Sequence, residues 1–221
     1  MLRRRLVQPR TVLDAGAGTG ALARRMIAFA ERIDAVEPSA SMIAEARRLP
    51  GGDDRRIQWI LGRAEDVPLG PPYGLITCGA SLHWMDLGVV LPRFREALAP
   101  GAYLAVADNK NVHGPYRDEV WAITDRYAAV AHHAETADAI AAVGASGVFT
   151  IEDEERTEPL PFEQSVDEYI EFLHSTSTLT RAQLGARAEA FDDEIRAVFA
   201  RHGTERLRYG VIGIVAWALP R

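Results

Sequence analysis

Short apolar runs alternate with helical patterns through the first half of this 221-residue chain, and that alternation constrains the fold more than any other feature. Thr11 to Ala15, Arg32 to Val36, Ile57 to Leu61, Gly74 to Cys78 and Ala102 to Ala107 read as strands. Between them, Leu22, Met26, Ile27 and Ala30 make a helical stripe, and Ser39 is placed to cap a helix running to Leu49. Pro50 to Asp54 reads as a turn. Val90, Leu91, Phe94 and Leu98 line the face of a further helix, in which Pro92 is tolerable only near the first turn and which Pro100-Gly101 ends. Strands and helices in this order pair in parallel through right-handed crossovers, with helices on both faces of the sheet. The class is α/β, and the functional positions are those just beyond the C-terminal ends of the strands.

The second half is organised differently. Asp118 to Val143 is helical and rich in alanine, Ser165 with Glu168 and Thr180 with Gln183 form two capping boxes, and Gly147 to Arg156 and Arg208 to Leu219 read as strands. No repeat or linker divides the sequence, so the expectation is a single domain over residues 1–221 with a helical insertion at about 114–146. With 48% apolar and 25% charged residues the composition is that of a soluble globular protein, and a net charge of −6 argues against nucleic acid or an anionic membrane as partner. Val211 to Leu219, the most apolar stretch, is about half as long as a bilayer crossing requires. Cys78, the one cysteine, cannot close an internal disulfide, which fits a cytoplasmic location. Arg3, Arg4 and Arg5 read as a solvated helix end, and Glu152-Asp-Glu-Glu155 as a solvated strand edge that discourages sheet-to-sheet association.

The strand ends carry the chemistry. After the first strand comes Asp14-Ala-Gly16-Ala17-Gly18-Thr-Gly20, where alternate glycines let the backbone turn tightly and approach a ligand. The helix that follows is expected to present free N–H groups at its start. Asp14 suits a cation such as an α-amino group rather than a phosphate. Glu37 follows the second strand, 23 residues after Asp14, near the roughly 20 expected of an acid that holds ribose hydroxyls. Gly62-Arg-Ala64-Glu65-Asp66 follows the third and is placed to meet an adenine ring; Gly79-Ala80-Ser81-Leu-His83-Trp84 follows the fourth. Gly16, Gly18 and Ala21 also satisfy a dinucleotide fingerprint, so the loop alone leaves NAD(P) open.

Taken together, Val12 to Gly20, Ala35 to Met42, Gly62 to Leu69, Ser81 to Asp86 and Leu98 to Gly101 resemble the class I S-adenosylmethionine-dependent methyltransferases, in particular the type 11 group that includes trans-aconitate-type and other small-molecule enzymes. The resemblance implies a Rossmann-like seven-stranded sheet of order 3-2-1-4-5-7-6, its last strand antiparallel. It implies that Asp14 and the Gly16, Ala17, Gly18 and Gly20 loop hold the methionine part of S-adenosylmethionine, with Glu37 and Pro38 at the ribose. Met42, Ala64 and Glu65 would border the adenine, Ala80 and Ser81 would lie beneath the sulfonium, and His83 and Trp84 would face the substrate. The chain departs from the group at its start. The first strand opens at Thr11, where the group carries a helical segment over the cofactor, which implies that the chain starts late, that the site is more open, or that a partner covers it.

The resulting expectation is methyl transfer to a small molecule, with no resident metal, and two copies pairing as a homodimer. His83 is the candidate base or substrate-positioning group, because imidazole titrates near neutral pH. Trp84, Asn109 and His113 are candidates for substrate contact. His132, His133 and Glu135 read as a solvated helical face rather than a metal site, and Cys78 as a core residue. Two other readings stand beside this one: a non-catalytic cofactor-binding subunit that supports a partner, and an NAD(P)-dependent oxidoreductase.

Overall fold

Strand and helix alternate from the first residues of the computed structural model, which describes residues 1–112, 116–128, 136–176 and 178–221. In chain order the elements are α1 (Leu2–Arg5), β1 (Thr11–Ala15), α2 (Ala23–Met26), β2 (Arg32–Glu37), α3 (Ala40–Arg48), β3 (Ile57–Leu61), β4 (Tyr73–Gly79), a 3-10 turn (Leu82–Trp84), α4 (Leu87–Ala97) and β5 (Leu98–Val112). Then follow α5 (Arg117–Tyr127), α6 (Thr136–Ala145), β6 (Phe149–Arg156), β7 (Leu160–Ser165), α7 (Val166–His174), α8 (Arg181–Leu184), a second 3-10 turn (Gly185–Arg187), α9 (Ala188–Arg201) and β8 (Arg206–Pro220). The strands form one sheet of order β3-β2-β1-β4-β5-β8-β6, with β7 paired to β8 off this path. β1 to β5 run parallel, and β8 is antiparallel to β6 and to β7. The order expected from the resemblance is the observed one, with β8 as the antiparallel strand and β7 added to it.

Contacts divide the chain into two compact units: Met1–Asp108 with Ala134–Arg156 and Ile214–Arg221, and Asn109–His133 with Thr157–Gly213. The stretch expected as an insertion is shared between them, α5 falling in the second unit and α6 in the first. In the first unit alternate residues of each strand face opposite layers, as the pleat requires. Leu13, Ala15, Ile76 and Cys78 join Phe94 of α4 and Val143 of α6 on one side. Val12, Ile33 and Leu75 join Met26 of α2 and Trp217 of β8 on the other. Leu13 and Ile76 are wholly buried, each contributing about 2 kcal/mol. The second unit has its own core, in which Val120 of α5 and Ile170 of α7 pack with Phe191, Ile195 and Phe199 of α9.

Local signals held where they depend on neighbours in sequence. Ser39 caps α3 by accepting from the Met42 N–H, and both capping boxes are formed. Three expectations gave way, and a fourth needs an addition. The stripe from Leu22 to Ala30 makes only the four-residue α2, because turns occupy the residues on either side. Pro92 lies inside α4 rather than in its first turn, since the cap is Asp86, whose side chain accepts from Gly88 N; lacking an N–H, Pro92 leaves the Gly88 carbonyl without its helical donor. Pro100-Gly101 does not simply end that helix: β5 begins at Leu98, and the pair sits in a bulge, Tyr73 pairing with Leu98 and Leu75 with Tyr103. Finally, Arg5 and the acidic run of β6, exposed for the most part as expected, also pair with one another. Arg5 donates to Tyr103 Oη at 2.9 Å, Glu152 at 3.2 Å and Asp153 at 3.0 Å, and lies over the Tyr103 and Trp217 rings, while Arg4 pairs with Glu155 at 2.8 Å.

Candidate functional site

The ends of β1, β2 and β4 are tied together by hydrogen bonds that use nearly every polar atom the sequence puts there. Gly16 N and Ala17 N both donate to the Val36 carbonyl at 2.9 Å, and Gly20 N closes a turn on Ala17 O at 2.8 Å. Gly16, Gly18 and Gly20 all have positive φ, of 70°, 57° and 76°. At Gly16 and Gly20 there is also no room: an added Cβ would stand 2.5 Å from the Ser81 Cβ and 2.7 Å from the Trp59 ring. Gly18 differs, because an added Cβ would meet only Met42 Cε, at 3.7 Å, so its backbone is bare on that side.

Glu37 is the hinge between the loop and β2. Buried at 8% exposure, it accepts from Gly18 N at 2.8 Å through one oxygen and from Ser39 N at 2.9 Å through the other. Each oxygen keeps a further lone pair, so two vicinal hydroxyls can still be received. Pro38 and Met42, beside it, are exposed. Asp14 is more deeply placed, at 1% exposure, and accepts from the Thr77 hydroxyl at 2.7 Å and from Ala23 N at 3.1 Å. The first N–H of α2 is thus spent on Asp14 rather than presented outward. Burial raises the Asp14 carboxyl from its ordinary 3.8 to about 6, with the like charge of Glu37 adding to it and the two hydrogen bonds opposing. Cys78 is pushed up by burial and by Asp14, so its thiol is inert, as a core position predicts.

After β4 the backbone turns at Ala80, whose φ of 49° puts an L-residue in the left-handed region, and its N–H donates to Ala107 O at 2.8 Å. Such a conformation costs about 1 kcal/mol. It drives Ser81 inward, where its hydroxyl donates to Ala15 O at 2.7 Å and its Cβ fills the space that Gly16 leaves. His83 and Trp84 follow on the 3-10 turn with ring centroids 5.3 Å apart, Trp84 exposed. After β3, Ala64 is buried, and Glu65 accepts from Arg63 at 2.7 Å and from Asp86 N at 3.0 Å, joining that loop to the start of α4. Burial works against the Glu65 charge, but these donors outweigh it and hold the carboxyl below its ordinary range.

The structure therefore brings together Asp14, Gly16, Ala17, Gly18, Gly20, Glu37, Met42 and Ser81, each through a contact to another member or to the strand end beside it. Asn109 is exposed on β5, which runs further than the sequence suggests, and belongs to the second unit. His113 lies outside the described residues, as do His132, His133 and Glu135. Among the described residues no group of three or more His, Cys, Asp or Glu is gathered to hold a metal ion, and no helix is long and apolar enough to cross a membrane. Sequence reasoning passed over Thr77 and Trp59. A hydroxyl in an otherwise apolar strand is the signal that marks Thr77; nothing local marks Trp59.

Residues 12–101 match a family described as a methyltransferase domain. An uncharacterised methyltransferase of Mycobacterium tuberculosis is 32% identical over 102 residues, which span 45% of this chain and 40% of that protein. The trans-aconitate 2-methyltransferase of Methylobacterium nodulans is 33% identical over 114 residues, spanning 50% of this chain and 42% of that one. The match thus extends over about two fifths of the length of these relatives. Among solved structures, a S-adenosylmethionine-dependent methyltransferase of Geobacter sulfurreducens in complex with S-adenosyl-L-homocysteine superposes with a TM-score of 0.57 at 16% identity, covering 100% of this chain and 88% of that one. The matched methyltransferase domain lies on strands β1 to β5 and their connections, and the sheet order is the one that the resemblance to the class I methyltransferases implies.

Proposed function

We propose that this protein transfers a methyl group from S-adenosylmethionine to a small molecule. The observation that carries the reading is the Glu37 carboxylate, pinned by two backbone N–H groups with lone pairs to spare, beside a glycine whose backbone is bare. Vicinal ribose hydroxyls fit that carboxylate, and a methionine tail fits the open side of the Gly16 to Gly20 loop over the buried Asp14. Met42 and Ala64 offer apolar borders for an adenine, with Glu65 at its edge. Ala80 and Ser81, turned by the left-handed backbone, form the floor at the end of β4.

When bound, S-adenosylmethionine supplies a methyl group already activated by its sulfonium, so an acceptor lone pair forms the new bond as the carbon–sulfur bond breaks. The protein's share is in-line positioning and exclusion of water. His83 is the group we assign to orienting the acceptor or taking its proton, and Trp84 supplies a flat apolar wall beside it. Asn109 and His113 are assigned to substrate contact. The relative that acts on trans-aconitate supports a small carboxylate-bearing acceptor as the first to try. The net charge of −6 supports a small-molecule substrate in the cytoplasm over nucleic acid or membrane. The exposed Leu160 and Phe162 of β7 support pairing of two copies.

The test is transfer of radiolabelled methyl from S-adenosylmethionine to a panel of small carboxylates, alcohols and amines, together with calorimetric titration by S-adenosylmethionine. Binding with turnover of at least one acceptor supports the reading. A folded protein that binds no S-adenosylmethionine overturns it.

A further inference from the structure

We propose that Thr77 is a positioning residue for cofactor binding: its hydroxyl donates to Asp14, keeps that carboxylate turned toward Ala23 N, and so holds the glycine loop in its receiving shape. The inference rests on the reading of the β1 and β2 ends as the cofactor site.

Thr77 stands opposite Asp14 in the parallel pairing of β4 with β1 and is wholly buried, behind the carboxylate rather than on the open side of the loop. Its single hydroxyl proton has two acceptors in reach, Asp14 Oδ1 at 2.7 Å and Leu13 O at 3.4 Å, and the shorter takes it. The groups that face Asp14 are Thr77 and the Cys78 thiol from β4, the Ala23 N–H from α2, and the like-charged Glu37 from β2. Burial and Glu37 both work against the Asp14 charge, so it rests on two hydrogen bonds, one of them to the first residue of α2. The balance lies close to neutrality, with the carboxyl at about 6, where the loss of one donor tips it. Protonated, Asp14 binds Ala23 N more weakly and loses its attraction for a cationic amino group, and the loop between β1 and α2 loosens.

The experiment is calorimetric titration with S-adenosylhomocysteine between pH 5 and pH 9 for wild type, Thr77→Val and Thr77→Ser. Wild-type affinity is expected to fall on acidification with a half-point near pH 6. Thr77→Val moves that half-point up by about one pH unit, so affinity drops about fivefold at pH 6 and about twofold at pH 7, and returns at high pH; Thr77→Ser restores the wild-type profile. A residue that merely fills space would lower affinity equally at every pH. The proposal is overturned if Thr77→Val keeps the wild-type half-point or if Thr77→Ser leaves it displaced. Should Thr77→Val not fold, Thr77→Ala deletes the same donor, and a wild-type affinity that does not fall between pH 7 and pH 5 overturns the idea without any variant. A wild type that binds no S-adenosylhomocysteine at any pH instead removes the cofactor-site reading on which the proposal stands.

Discussion

Two buried acid clusters in this protein are built on opposite principles. At the strand ends Asp14 and Glu37 receive backbone N–H groups and a hydroxyl, all neutral donors, and repel each other. In the second unit Asp192 is held by side chains, one of them a guanidinium: His174 Nε2 lies 2.7 Å from one oxygen and Arg181 3.1 Å from the other, with Arg181 reaching on to Glu171. The His174 Nδ1 lies 2.8 Å from Leu179 O, so the ring is fastened at both ends. Charge that is matched inside the protein serves the fold; charge left unmatched is available to a ligand and weakens the fold.

The comparison can be broken most sharply at Glu37. Glu37→Ala should cost at least about 100-fold in S-adenosylmethionine affinity, measured by calorimetry, because two charge-assisted hydrogen bonds to a ligand are lost. A loss under tenfold would mean that the unmatched charge is not for the cofactor. In the other cluster, Asp192→Ala should destabilise by about 3 kcal/mol in urea unfolding and leave cofactor affinity unchanged, since it strips a buried pair of its partner.

Asp14 then tests the same contrast through pH. Its folded carboxyl holds a proton up to about pH 6 and its unfolded one only to about 3.8, so its contribution to stability is greatest below pH 3.8 and is lost as pH rises through 6. Asp14→Asn should therefore stabilise the fold by about 2 kcal/mol at pH 8, with the gain vanishing near pH 4, while cofactor affinity falls. The Thr77 hydroxyl can then turn to Leu13 O and accept from the new amide. Denaturation at both pH values reads the sign directly. The smallest expected effect is at Ala80: Ala80→Gly should stabilise by about 0.5 kcal/mol, the relief of a left-handed alanine less the added freedom of glycine in the unfolded chain. Calorimetric melting would show it, and a loss of stability would mean that the Ala80 methyl group matters to the site.

What could be read from the sequence follows the reach of each interaction. β1 and β3 begin and end where their apolar runs do, and Ser39, Ser165 and Thr180 cap as expected, because a cap is decided within four residues. The Asp14, glycine and Glu37 pattern was legible because fold class fixes where strand ends meet. The clasp of Arg5 by Glu152 and Asp153 was not, as it joins residues nearly 150 apart in sequence. β7 was hidden for a different reason: Leu160-Pro-Phe-Glu-Gln-Ser165 has no clean alternation and becomes a strand only by pairing with β8. Thr77 was missed because a single hydroxyl inside an apolar strand shows its use only once its register with Asp14 is known.

Cys78, wholly buried at the end of β4 with Asp14 and Ser81 as neighbours, makes the molecule its own clock. A thiol held neutral and out of water reacts with an alkylating reagent only when the sheet parts, so the labelling rate counts openings at the heart of the site. Because this is the chain's one cysteine, every modified molecule reports from the same place. Slower labelling in the presence of S-adenosylhomocysteine would measure how firmly a bound ligand latches β4 to β1.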